Sequence, residues 1–146
     1  MLIAGKNARV WLTEDRIKIY RYNLGSPRTE ELWGKYIMLS QISSIQFKNA
    51  GILKPGYIHF VLTGEKESEE DLLAKFNENT VVFDFTQRKS FQQFKEALEI
   101  AITTRSRLES LKSSELAELE KFSRLKDQGV ITEEEFNQKK KQLLGL

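Results

Sequence analysis

Apolar and polar positions alternate over short stretches in the first 85 residues, which is typical of antiparallel β-strands. Residues 9–13 and 16–20 flank the short connection Glu14-Asp15. This spacing predicts a hairpin with four apolar side chains on one face: Val10, Leu12, Ile17 and Ile19. Turn-forming residues at 23–27 and 51–56 predict two further connections between strands. Further strands are predicted at residues 36–39, 45–48, 57–62 and 80–85.

The period changes from two to 3.6 after residue 90. Five apolar residues then recur at helical spacing: Phe91, Phe94, Leu98, Ala101 and Ile102. The apolar stripe of such a helix must cover another surface, and the sheet is the candidate large enough. We therefore expect an α+β fold, with an antiparallel β domain over residues 1–104 that is capped by its C-terminal helix.

The next stretch, residues 105–114, contains Ser and charged residues, and its only apolar side chains are Leu108 and Leu111. It is interpreted as a linker or a weak helical extension. A helix-forming segment follows, from Glu115 to Lys126, and Gly129 suits the left-handed position after a helix end.

A second short helix is predicted after Thr132. Thr132 and Glu135 have the spacing of a capping box, and Ile131 and Phe136 have that of a hydrophobic staple. Residues 115–146 are therefore predicted to form a helical hairpin with Phe136 as its central anchor. The apolar face proposed for interaction consists of eight residues: Leu116, Leu119, Phe122, Leu125, Ile131, Phe136, Leu143 and Leu144.

Composition excludes several kinds of chemistry. The 146 residues contain no Cys and a single His, which removes disulfides, thiol nucleophiles and zinc–thiolate sites. His59 is expected on the outward side of its strand. The sequence contains 23 Lys and Arg and 21 Asp and Glu. This nearly balanced charge creates no strong electrostatic attraction to nucleic acid or anionic membranes. We expect no enzyme, no catalytic residues, no cofactor and no metal.

Two local patterns resemble ligand motifs but fail in detail. Gly129 and Glu135 match positions six and twelve of a calcium-binding loop, yet Arg124 and Lys126 then stand where carboxylates are needed. The five acidic residues between Glu65 and Asp71 are interpreted as a solvated charge run. No stretch reaches the roughly 20 apolar residues that cross a bilayer. The first residues lack the features of a secretory signal, so we expect a cytoplasmic protein.

Residues 115–146 resemble the short C-terminal (SHOCT) domain family. The similarity is carried by five segments: Glu118-Leu119, Leu125–Gly129, Val130–Thr132, Glu135-Phe136 and Lys140–Leu146. That family consists of helical modules at the ends of bacterial and phage proteins, with a proposed role in oligomerisation. The resemblance implies an assembly module and no catalysis.

The first hundred residues resemble a bacterial pleckstrin-homology-like domain, through residues 10–17, 37–42, 56–60 and 79–83 and the helix from 90. This resemblance implies a curved antiparallel barrel capped by a helix. The lipid-binding members of that superfamily have Lys and Arg around the first hairpin loop. Here that loop is Thr13-Glu14-Asp15-Arg16, so no ligand residues are carried over.

The function expected from the sequence is a non-catalytic bacterial or phage binding and assembly protein. Its β domain would be an interaction platform, and its hairpin would join copies of the chain or dock on a protein partner. Two alternatives remain: nucleic-acid association through the last helix and strand aromatics, and recruitment to membrane lipid by the β domain. The nearly balanced charge weakens both alternatives.

Overall fold

The computed structural model describes residues 1–22, 31–65 and 78–146. The chain divides into two units, Met1–Arg105 (the β unit) and Ser106–Leu146 (the helical unit). The turn predicted at residues 23–27 and all of the acidic run except Glu65 lie outside the described residues.

The first sheet contains four antiparallel strands in chain order: β1 (Leu2–Ala4), β2 (Ala8–Leu12), β3 (Arg16–Tyr22) and β4 (Glu31–Met38). The predicted hairpin is confirmed, because Val10 pairs with Ile19 and Leu12 with Ile17. Three of these side chains are buried, and Leu12 packs against the core. Strand β1 was not predicted, since three residues are too few to show an alternation.

A short 3₁₀ helix, Leu39–Gln41, leads into the second sheet. This sheet has the order β5 (Ile42–Lys48), β6 (Gly56–Leu62) and β7 (Thr80–Phe83), again antiparallel. Ile58 and Phe60 are completely buried, as the alternation predicted.

The outward position expected for His59 is wrong. Only 5% of its surface is exposed, and its Nδ1 lies 2.7 Å from Oγ1 of Thr80 on β7. Val61, on the same side of β6, is also buried. An alternating pattern predicts exposure only when one face of the sheet is solvated, and the middle strand β6 is covered on both faces.

The main helix, α1 (Arg88–Asp127), packs its first turns into the core. Phe91, Phe94 and Leu98 are buried, and Ala101 and Ile102 pack against them, which confirms the predicted stripe. A 3₁₀ turn, Phe85–Gln87, precedes it.

The helix is bound to the second sheet through aromatic rings. The rings of Phe83 and Phe91 are stacked with centroids 4.3 Å apart, and those of Phe47 and Phe83 are stacked with centroids 5.5 Å apart. This stack therefore connects β5, β7 and α1.

Residues 105–114 do not break the helix. The structure continues α1 through them to Asp127, so a helical extension forms instead of a linker. The segment 88–127 contains neither Gly nor Pro, and nothing in its backbone chemistry ends a helix there. Two antiparallel sheets with a long and a short helix make the fold α+β. Among the described residues, no helix combines the length and apolar character that crossing a membrane requires.

We expect Phe91→Ala to lower the free energy of unfolding of the β unit by ~3–5 kcal/mol, because it removes a buried ring from the stack. Ile100→Ala is the matched control on the same helix, since Ile100 is 67% exposed and its truncation leaves no cavity. Urea unfolding followed by circular dichroism measures both. Equal midpoints for the two variants would contradict the placement of Phe91 in the core.

Candidate interaction surface

The reversal between the two helices of the helical unit is fixed by backbone hydrogen bonds. The amide of Val130 donates to the carbonyl of Leu125 at 2.9 Å, and that of Gly129 to Lys126 at 3.0 Å. This pair of bonds is a Schellman motif, which requires a left-handed residue. Gly129 has φ +74°, as predicted, and a side chain there would be strained.

The second helix, α2 (Glu133–Leu144), is delimited by signals at both ends. The predicted capping box is confirmed: the Thr132 amide donates to Oε2 of Glu135 at 2.8 Å, and Oγ1 of Thr132 accepts from the Glu135 amide at 3.2 Å. Gly145, with φ +67°, ends the helix, and the amide of Leu146 donates to the carbonyl of Lys141. Local sequence therefore sets the length of α2 at twelve residues.

Two lysine–ring contacts cross between the helices in a reciprocal arrangement. Nζ of Lys126 on α1 lies 4.9 Å from the ring centroid of Phe136, and Nζ of Lys139 on α2 lies 5.4 Å from that of Phe122. The contact nearer the turn joins 126 to 136, and the farther one joins 122 to 139. This order is that of an antiparallel hairpin. The long aliphatic stems of lysine can cover apolar surface while their charged ends stay solvated.

The hairpin leaves the predicted apolar face only partly covered. Every residue of the helical unit is described, and none is fully buried. Leu116 and Leu144 are exposed, by 62% and 47%. The other six predicted residues are partly buried: Leu119, Phe122, Leu125, Ile131, Phe136 and Leu143.

The structure extends this face toward the start of the helical unit. Leu108 and Leu111 are 54% and 55% exposed on α1. At 100° per residue they fall within the half-circumference that also holds Leu116 and Leu125. Residues 105–114 were interpreted as a linker or a weak helical extension, so these two leucines were not included in the predicted apolar face. An uninterrupted helical composition was the signal that could have revealed their place on a helix face.

Helix lengths explain why one hairpin cannot cover the stripe. Twelve residues of α2 span about 18 Å, whereas the stripe from Leu108 to Leu125 extends over about 25 Å. Leu119 and Leu125, which lie nearer the turn, are accordingly half-buried. The leucines that precede them on α1 are exposed. The uncovered part, Leu108, Leu111 and Leu116, is called the leucine stripe below.

The loop predicted to be the first hairpin loop, residues 13–16, joins β2 and β3 in the structure, because β1 precedes them. Nε and a terminal nitrogen of Arg16 donate to the two carboxylate oxygens of Asp15 at 2.9 and 2.7 Å. This bidentate pair lowers the pKa of Asp15 to about 2. The guanidinium of Arg16 is thus already paired with the adjacent carboxylate of Asp15. Among the described residues, no three His, Asp or Glu side chains come together as metal ligands would.

A family model described as the short C-terminal domain, SHOCT, matches residues 117–144. No curated protein and no solved structure matches the chain. A SHOCT domain is therefore present in the helical unit. The match does not reach the β unit, for which the pleckstrin-homology-like resemblance stays a prediction.

We expect Phe136→Ala to unwind α2, because it removes the ring that meets Lys126 across the hairpin. Truncation of a fully buried Phe to Ala typically costs ~3–5 kcal/mol of stability. Because Phe136 is only partly buried, the expected loss is ~2 kcal/mol. Far-UV circular dichroism should show less helix, while near-UV signals of the β unit persist. Leu146→Ala, at a residue 86% exposed, is the control. Unchanged helix content in Phe136→Ala would contradict its role as anchor.

Proposed function

We propose that the protein is a non-catalytic bacterial or phage assembly protein whose helical unit joins copies of the chain. The observation that carries this proposal is the leucine stripe. It continues the half-buried face of α1 and is more than half exposed in a single chain.

A second copy of the chain is the occupant that this stripe fits best. Exposed leucines at helical spacing pair readily with the same surface on another helix, and twofold symmetry buries each stripe against its equivalent. The helical unit also has as many carboxylates as cations, so self-association meets no net repulsion. Because each leucine is half exposed, its burial contributes ~1 kcal/mol, less than the ~1.5–3 kcal/mol of a full burial.

The β unit is proposed to be a pleckstrin-homology-like interaction platform. Its seven described antiparallel strands in two sheets, with the first turns of α1 in their core, support this assignment. Inositol-phosphate binding at the loop between β2 and β3 is not part of the proposal, because Asp15 forms an ion pair with Arg16 there.

The test is the oligomeric state of a variant that removes the stripe and keeps the helix. Leu108→Gln, Leu111→Gln and Leu116→Gln together replace apolar side chains with polar ones of similar helix propensity. Sedimentation equilibrium should show a dimer or larger assembly for the unaltered chain and a monomer for the variant. Circular dichroism should be the same for both.

The matched control is Ile52→Ser with Leu53→Ser, which removes two exposed apolar side chains from the β unit. It should leave the assembly intact. An unaltered chain that stays monomeric at its highest soluble concentration would refute the proposal, as would a triple variant that assembles normally.

A further inference from the structure

The outer face of the first sheet carries a row of large side chains that crosses all four strands. Strand pairing places Leu2, Trp11, Lys18 and Tyr36 next to one another in this order. Leu2, Trp11 and Tyr36 are 60%, 43% and 56% exposed, and Lys18 is partly exposed. Neighbouring strands lie about 4.8 Å apart, so the row is about 14 Å long. These four residues are called the outer row below.

Lys18 lies near the centre of the outer row with an aromatic ring on each side. Its Nζ lies 4.8 Å from the ring centroid of Trp11 and 5.4 Å from that of Tyr36. Both contacts have the geometry of a cation–π interaction, which keeps the ammonium at a defined place between the rings.

A second row lies beside the outer row on the same face. It consists of Ala4, Arg9, Tyr20 and Gly34. The two rows together contain two cations, Lys18 and Arg9, and no carboxylate. The charge of the whole chain is nearly balanced, but the charge of these two rows is positive.

The residue types of the two rows are those of a protein interface. Trp, Tyr and Arg contribute most of the binding energy in protein complexes. The exposed surfaces of Leu2, Trp11 and Tyr36 offer apolar contact, and the ammonium of Lys18 attracts a carboxylate. A second copy of the same face would bring like charges together, which disfavours pairing of this face with itself. A partner with both acidic and apolar side chains is complementary in both respects.

Single-stranded nucleic acid fits these rows less well than a polypeptide does. Bases stack on open ring faces, but the ammonium of Lys18 lies over a face of Trp11 and of Tyr36. The ring of Tyr20 lies against Gly34, where an added Cβ would be 2.8 Å from a ring carbon. Much of the ring surface is therefore already used within the sheet.

We propose that the outer row binds a short acidic segment of a partner protein that also contains large apolar side chains. A carboxylate of the segment pairs with Lys18, and its apolar side chains pack on Leu2, Trp11 and Tyr36. At about 3.3 Å per residue, a row of this length accommodates four to five extended residues. This size suits a linear segment better than a folded surface that buries about 800 Å². The inference rests on the proposed role of the β unit as an interaction platform and assigns its surface and partner.

The experiment is a fluorescence anisotropy titration of a labelled synthetic peptide with the full chain. The peptide consists of three repeats of Glu-Glu-Leu-Leu. Lys18→Gln should weaken its binding by about fivefold, because this variant removes the charge pair and keeps an aliphatic stem. Trp11→Thr with Tyr36→Thr should weaken it by about tenfold or more. Thr is favourable in strands, so circular dichroism of both variants should match that of the unaltered chain.

Matched controls remove the same chemistry elsewhere in the β unit. Lys48→Gln deletes an exposed lysine of β5, and Ile52→Ser with Leu53→Ser deletes two exposed aliphatic side chains. Both controls should bind the peptide as the unaltered chain does. Peptides with Gln in place of Glu, or with Ser in place of Leu, should each bind about tenfold more weakly.

The location of the peptide can be read from backbone amide chemical shifts. Addition of the peptide should shift amide signals of β2, β3 and β4, and should leave those of α2 unchanged. The triple glutamine variant of the leucine stripe should bind the peptide with unchanged affinity, because it alters no residue of the β unit. Peptide binding and assembly through the stripe are therefore measured separately.

Four outcomes would overturn the proposal. The first is a Kd of the unaltered chain for the peptide weaker than ~1 mM. The second is equal affinity for the peptide in which Gln replaces Glu. The third is unchanged binding by both the Lys18 variant and the Trp11/Tyr36 variant. The fourth is an oligothymidylate that binds more tightly than the peptide and loses affinity in the same variants, which would make the outer row a nucleic-acid site.

Discussion

The stack of Phe47, Phe83 and Phe91 is the contact on which the β unit depends. It holds the first turn of α1 against the second sheet, and the remaining buried residues of the helix, Phe94 and Leu98, follow at helical spacing. A sheet with one apolar face cannot remain in water alone, and the helix stripe is what covers it.

Helix α1 uses the same kind of apolar stripe in two different ways. In the β unit Phe91, Phe94 and Leu98 of its stripe are completely buried, whereas in the helical unit the stripe is half-buried or exposed. The difference comes from how much surface each unit has to cover the stripe. Two sheets cover the first stripe, but only twelve residues of α2 are available for the second. The helical unit therefore holds its shape through local signals, namely Gly129, Thr132 and the reciprocal lysine–ring contacts, more than through a core.

Structure that depends on neighbouring residues is predictable from this sequence, whereas burial by distant elements is predictable only in part. The hairpin of β2 and β3, the capping box at Thr132 and the turn at Gly129 each depend on residues within a few positions. The burial of His59 depends instead on what covers the second face of β6, which alternation cannot reveal. The interaction face was predicted from periodicity, yet Leu108 and Leu111 were missed because polar neighbours concealed the continuous helix. The exposure of Ile52 and Leu53 depends on the fold around their turn. The turn itself was therefore predicted, whereas the exposure of these two side chains was not.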